Sequence, residues 1–284
     1  MKRYSWGSHP EIKCSEHELK NSLTLKSIIA NNNELIAHGN GRSYGDSSIN
    51  ENIINCVSYN SLLSFDEKNG IIIAQAGMLF SDILKIIVPK GWFLKVTPGT
   101  KFITLGGAIA SDIHGKNHHI DGCFSESIIS FSLMLPNGEI VECKKSDELF
   151  LATCGGMGLT GVIIDAKISL MKIISKNIDT TSIKTNNLKE TFKIFESNNS
   201  SKYSVAWIDS SAKELHAGRG IVTIGDFSSD GDLSYRHVKN KASIPRWTPS
   251  FLMNRFTIKV FNLLYYRLQF RKFKNLKMNL NEFF

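Results

Sequence analysis

The chain has 284 residues, 42% of them hydrophobic and 21% charged, the make-up of a folded protein with one large domain or two ordinary ones, which excludes disordered and fibrous architectures. Thirty-four basic residues against 26 acidic leave a net charge of +8, which suits an anionic cofactor, a phosphorylated substrate or a membrane surface equally well. Five scattered cysteines without a C-x-x-C pair argue against a disulfide framework or a zinc ribbon, and no apolar run reaches the roughly 20 residues of a bilayer-spanning helix.

The basic N-terminus leads into no apolar stretch and does not read as a secretory signal, so synthesis and folding in the cytoplasm are expected. Apolar spacing predicts a helix over 19–30, then a short strand over 34–38 ended by glycine. The β-branched runs 53–57 and 71–76 read as strands, and 79–88 returns to helical spacing until Pro89 and Gly91 stop it. Residues 97–122 are too irregular for one element and too rich in glycine to serve packing. Strands over 128–135 and 139–143 flank Pro136-Asn-Gly138, a hairpin signal. A short helix over 147–153 precedes the glycine-dense 155–161 and a further strand to 170. Beyond about Met171 the composition shifts to Lys, Asn, Ser and Thr, which places a domain boundary there. Strands over 203–209 and 221–224 and a basic, aromatic-rich helix over 251–273 follow.

Three segments carry chemistry. The first, His38-Gly-Asn-Gly-Arg-Ser-Tyr-Gly-Asp46, follows a predicted strand, and its glycines let successive N–H groups converge on an anion such as a pyrophosphate. Its G-x-G-x-x-x-G spacing and the polar residues after it disfavour a Rossmann nicotinamide site; an unliganded glycine turn is the plain alternative. The second runs from Thr97-Pro-Gly-Thr100 through Thr104-Leu-Gly-Gly107 to His114-Gly-Lys-Asn-His-His119. Its Gly106-Gly107 pair admits a flat or charged ligand, and His114 and Lys116 set an imidazole and an ammonium beside it. A metal site from His114, His118 and His119 is disfavoured, because no acidic residue stands in ligand register. The third is Gly155-Gly-Met-Gly-Leu-Thr-Gly161. Three such loops within about 120 residues suit one extended dinucleotide cofactor.

These three segments together resemble the flavoprotein subunits of the decaprenylphosphoryl-ribose 2′-epimerase family, in the vanillyl-alcohol-oxidase superfamily. The His114-Gly-Lys-Asn-His-His119 stretch is the specific part, and the likeness runs on through 203–209 to 261–266. The resemblance implies an α+β fold: a two-subdomain PCMH-type FAD-binding domain over 1–172, then an incomplete α+β substrate (cap) domain over 173–284. It implies that Ala37, His38, Gly39, Asn40, Gly41, Arg42, Ser43, Tyr44, Gly45, Asp46 and Ser47 cradle the FAD pyrophosphate. Gly99, Thr104, Leu105, Gly106, Gly107, Ser111, Asp112, Ile113 and His114 would line the flavin, with Val162 and Ile163 touching the cofactor through backbone. His114 and Lys116 take the catalytic positions, and Tyr44, Lys116 and Trp207 the substrate positions.

The implied reaction oxidises C2 of a polyprenyl-phosphoryl ribose to a ketone by hydride transfer to flavin N5, and a separate NAD(P)H-dependent short-chain reductase completes the inversion. Histidine-linked members carry their anchor where this chain has Arg42, so noncovalent FAD is expected. Family members continue well beyond the position of Phe284, with a lysine at the flavin in that portion, so the sequence is expected to be the N-terminal part of a longer enzyme. The alternatives are an aldonolactone oxidase of the same superfamily and a non-catalytic FAD-binding module. No RNP, helix-turn-helix or zinc pattern accompanies the basic aromatic stretch 246–277, so nucleic acid is not an expected partner. That stretch suits a membrane surface at the inner face or a lipid-phosphate substrate, or else a solvated helix face.

Overall fold

Short β-branched segments broken by Gly, Asn and Pro become strands, and the longer periodic runs become helices. The computed structural model describes residues 1–235, 249–269 and 273–284, and the chain divides into two units, Met1–Ile173 with Phe284, and Ile174–Phe283.

In the first unit β1 (Lys2–Tyr4) and β2 (Glu11–Lys13) form an antiparallel ribbon. The strands β3 (Ser15–Glu18), β4 (Ile36–His38) and β5 (Asn52–Asn55) form a parallel sheet in the order β3-β5-β4. Parallel strands need a crossover, and α1 (Ser22–Ala30) supplies the one between β3 and β4, its start fixed by Asn21, whose side chain accepts from the Thr24 N–H at 2.8 Å. The chain then builds β6 (Leu62–Asp66), β7 (Ile71–Gln75), α2 (Phe80–Ile87), β8 (Trp92–Leu94), α3 (Leu105–Ala110), α4 (His118–Asp121), β9 (Ile128–Met134), β10 (Ile140–Lys144), α5 (Glu148–Thr153) and β11 (Val162–Lys172). Its second sheet is antiparallel, ordered β10-β9-β11-β7-β6, with β8 on the far end of β11. Leu19, Leu25, Ile54 and Cys56 from the parallel layer pack with Met134, Val162 and Ile164 of β9 and β11, so one core joins the two layers. Each of its fully buried aliphatic side chains is worth about 1.5–3 kcal/mol.

The second unit contains β12 (Asn177–Thr185), α6 (Leu188–Ser197), β13 (Tyr203–Ile208), β14 (Gly220–Phe227), α7 (Arg255–Leu268), β15 (Phe273–Asn279) and α8 (Leu280–Phe283). Its sheet is antiparallel in the order β13-β14-β12-β15. The mixed α+β architecture, with a further β-rich region after the first unit, is as the sequence implies. The helix expected over 251–273 is shorter. Asn254 accepts from the N–H groups of Phe256 and Thr257 at 2.8 and 3.1 Å and starts α7 there. The helix stops at Leu268, residues 270–272 lie outside the described residues, and Phe273 opens a strand. Elements β1, β2, β3, β6, β8, α3, α4, β12, α6, β15 and α8 were not legible in the sequence. The first turn-bounded segments were placed to within a few residues.

A buried ionic network pins α7. Asp209 is fully buried, and one of its carboxylate oxygens accepts from both Nε and Nη2 of Arg219 at 3.0 and 2.7 Å. The other accepts from Ser211 Oγ at 2.6 Å and from Asn262 Nδ2 of α7 at 2.9 Å. Removing the carboxylate strands a guanidinium and an amide. The expected result for Asp209→Ala is a loss of about 2–4 kcal/mol in urea unfolding of the whole chain, and an unchanged midpoint would show that the network contributes nothing to stability.

Candidate functional site

The three glycine-rich segments meet in the first unit. Asn40 Nδ2 donates to Phe102 O at 2.8 Å, tying the first to the second. A Cβ on Gly39 would sit 2.5 Å from Thr104 Oγ1, so only glycine permits this approach. The third segment is held on α3, where Ile109 O accepts from Gly155 N at 3.1 Å and Ala110 O from Met157 N at 2.8 Å.

Their amides differ in availability. Leu105 N donates to Met78 O, Gly106 N to Ala76 O and Gly107 N to the Thr104 side chain, so the start of α3 has no free donor. Among the described residues, no main-chain N–H from Gly39 to Ser47 donates to a protein acceptor. Such a row of unpaired amides suits an anion. Arg42 lies within it, its guanidinium stacked 4.3 Å over the Trp6 ring, while Trp6 N donates to Ser43 O at 2.9 Å. Burial holds the Arg42 guanidinium below its ordinary value, and its Nε is buried without an acceptor. Open space lies where a side chain on Gly45 or Gly99 would project, and Tyr44 is 74% exposed at the rim.

The His114–Lys116 segment folds back along Thr97. Gly115 sits so close to the Thr97 carbonyl that a Cβ there would come within 2.6 Å. Asn117, fully buried, donates to Lys95 O at 2.6 Å and to the Asp121 carboxylate, locking the turn. His114 is exposed, its ring 5.5 Å from that of His118. Lys116 lies 5.3 Å over the Phe284 ring, and burial pushes its ammonium down to about 8. The Thr97 hydroxyl and Asn117 Oδ1 are buried without a hydrogen-bond partner among the described residues. Thr97, Asn117 and Trp6 were not singled out as site residues from sequence, although Thr97 opens the motif.

Other expected positions serve the fold through their side chains. His38 is buried, with Nδ1 2.6 Å from Ser48 O, and Leu105 is fully buried. Asp112, at φ 36°, gives both carboxylate oxygens to Ser125. Val162 and Ile163 bury their side chains and pair with Met134 and Leu133 of β9, leaving only backbone to offer a ligand. Trp207 belongs to the second unit, its ring 4.8 Å from Tyr265. Among the described residues no three His, Cys, Asp or Glu side chains gather as metal ligands.

An FAD fits this arrangement: the free amides and the unpaired Arg42 Nε suit a pyrophosphate, and the open glycine faces suit a flat ring. Residues 15–144 match the family described as an FAD binding domain. The first two glycine segments fall inside that match and the third lies beyond it. Over 265 residues the chain is 32% identical to the decaprenylphosphoryl-beta-D-ribose oxidase of Mycolicibacterium smegmatis, covering 88% of this chain and 57% of that protein. It is 29% identical over 135 residues to the L-gulonolactone oxidase of Scyliorhinus torazame, covering 46% of this chain and 30% of that one. It is 28% identical over 118 residues to the D-lactate dehydrogenase of Anaerostipes hadrus, covering 42% and 24%. The chain thus spans little more than half the length of the first of these relatives.

Two outcomes follow from the geometry of this site. Arg42→Ala is expected to weaken flavin retention about tenfold, the loss of one charge-assisted contact worth about 1.4 kcal/mol, read as the flavin-to-protein absorbance ratio after dialysis; full retention would remove Arg42 from the cradle. The second concerns Lys116, whose folded value near 8 lies below the ordinary 10.5. Between these values the unfolded chain binds a proton that the folded chain lacks, so stability rises with pH across that window. Lys116→Met should therefore be the more stable protein near neutrality, with the gap narrowing toward pH 10.5 in urea titrations; a constant gap would show that Lys116 titrates normally.

Proposed function

We propose that this chain belongs to an FAD-dependent oxidoreductase that oxidises a secondary hydroxyl of a sugar, C2 of a polyprenyl-phosphoryl ribose, to a ketone. The observation that carries this reading is the meeting of the three glycine segments around a row of free amides at residues 39–47, with His114 and Lys116 on the adjoining segment. The similarity to the mycobacterial decaprenylphosphoryl-ribose oxidase extends over most of the chain and supports the choice of substrate class. Bound FAD supplies the two-electron acceptor.

In this reading the chain's own groups do the rest. Residues 39–47 hold the pyrophosphate, with Arg42 neutralising its charge. Position 42, where histidine-linked members carry their anchor, is arginine, and FAD is held noncovalently. The exposed His114 imidazole takes the hydroxyl proton as the C–H bond breaks, and the Lys116 ammonium holds the developing negative oxygen. Tyr44 meets the sugar at the rim. The assignment of Trp207 to the substrate rests on the resemblance alone. A separate NAD(P)H-dependent short-chain reductase consumes the ketone. No described helix is long and apolar enough to cross a membrane, and the enzyme works from the cytoplasmic side on a lipid-borne substrate.

A second reading, an aldonolactone oxidase, is favoured by the likeness to L-gulonolactone oxidase and to the putative D-arabinono-1,4-lactone oxidase of Neurospora crassa, the latter 26% identical over 125 residues. The test is to denature the yellow protein in acid and to mix the native chain without oxygen with each substrate. Flavin released into solution and bleached by the polyprenyl-phosphoryl ribose is the expected result. Bleaching by the lactone alone would shift the assignment, flavin left on the precipitate would overturn noncovalent binding, and a flavoprotein inert to both would leave a binding module.

A further inference from the structure

Helix α7 carries its polarity the wrong way round for a helix packed on a sheet. Its inward anchor is Asn262, the one residue that α7 buries among the described residues, while Phe256, Phe261 and Leu268 are 75, 61 and 77% exposed. Phe256, Val260, Leu264 and Leu268 recur every four residues and form one outward stripe, which the exposed Phe251 and Met253 extend beyond the helix start. Such a stripe on a monomer marks a surface that something covers.

Charge identifies the cover. From Leu233 to Asn281 the sequence holds eleven Lys and Arg and no Asp or Glu, and the remaining 235 residues hold 23 basic against 26 acidic. The positive excess of the protein therefore belongs wholly to the stretch that contains α7. On the helix itself Arg255, Lys259 and Arg267 are exposed, and Lys274 and Lys277 are exposed on β15. An acidic protein partner would satisfy the cations and leave the stripe of Phe and Leu to be matched residue by residue. A leaflet of anionic lipid satisfies both at once, its acyl chains taking the stripe and its headgroups the flanking cations.

We propose that α7 is an interfacial helix that docks the second unit on an anionic phospholipid surface, with its Phe256–Leu268 stripe in the headgroup–acyl boundary. The inference goes beyond the oxidoreductase reading and does not depend on it. The test is flotation of the 284-residue chain with vesicles of phosphatidylcholine alone and of phosphatidylcholine with phosphatidylglycerol, at low and high salt. Binding to the anionic vesicles that falls at high salt, and that drops at least about tenfold in Phe256→Ser/Leu268→Ser, is expected. Both side chains are solvent-exposed, so an unaltered circular dichroism spectrum and melting temperature should accompany the loss. Lys189→Gln/Lys193→Gln, on the exposed side of α6, should leave binding unchanged. Three results would overturn the proposal: no vesicle binding, equal binding by the double variant, or a self-associated chain that the double variant makes monomeric without any lipid binding. Flavin content does not enter the readout, so failure here leaves the oxidoreductase reading standing, and the reverse also holds.

Discussion

Residue 39 has room for a hydrogen and nothing more, and the candidate site depends on that contact. The Thr104 hydroxyl that would meet a Cβ on Gly39 is the same group that caps α3. The first glycine segment is thereby set against the start of a helix whose far end, through Ile109 O and Ala110 O, holds the third. Six residues of helix thus organise three loops that are distant in sequence. The division of labour follows from hydrogen-bond accounting. Leu105, Gly106 and Gly107 spend their amides on Met78, Ala76 and Thr104, whereas the amides of residues 39–47 have no protein acceptor among the described residues. One loop thus keeps its amides unpaired, while the other two give that loop its position.

His114 and Lys116 are neighbours in sequence with different surroundings. Gly115 between them is drawn against the Thr97 carbonyl, and Asn117 just beyond is buried under its bond to Lys95 O. A segment pinned at both of these points turns one side chain to solvent and the next but one toward the protein. The imidazole stays accessible and the ammonium loses part of its hydration, which lowers the cost of releasing its proton. Two neighbouring side chains of one motif are thereby given different surroundings.

The glycine segments were legible because their signal is local: spacing, turn chemistry and the strand before them are all written in consecutive residues. The Asn254 cap and the early end of α7 are local too, but the apolar pattern running on toward Phe273 masked them. Asp112 is placed at the flavin by the resemblance alone. Its positive φ and its two bonds to Ser125 arise only once the short 3₁₀ turn Phe124–Ser127 after α4 brings residue 125 back. Trp6 went unnoticed as a partner of Arg42 because their stacking joins a terminal segment to a loop 36 residues later. Strand β12 escaped because Asn-Ile-Asp-Thr-Thr-Ser-Ile-Lys-Thr carries few apolar residues, and its central place between β14 and β15 is a property of the sheet.

The orientation of α7 is a choice between two faces. Rolled by half a turn, the helix would bury Phe256, Val260, Leu264 and Leu268, with about 1.5–3 kcal/mol to gain for each large side chain fully covered. The roll would also pull Asn262 from Asp209 and Tyr266 Oη from Thr185 O, and would unstack the Tyr266 ring from the Arg219 guanidinium 4.8 Å away. Asp209 is fully buried, so losing the Asn262 donor leaves its carboxylate one hydrogen bond short, a penalty of about 1–3 kcal/mol. Apolar burial alone could match that penalty, since it favours whichever face meets the most carbon. Geometry decides instead: Asn262 meets Asp209 while Tyr266 meets Thr185 O and the Arg219 guanidinium in a single arrangement, and that arrangement fixes the roll. The polar side of α7 is claimed by the sheet beneath it, and the apolar side is left for a solvent other than water.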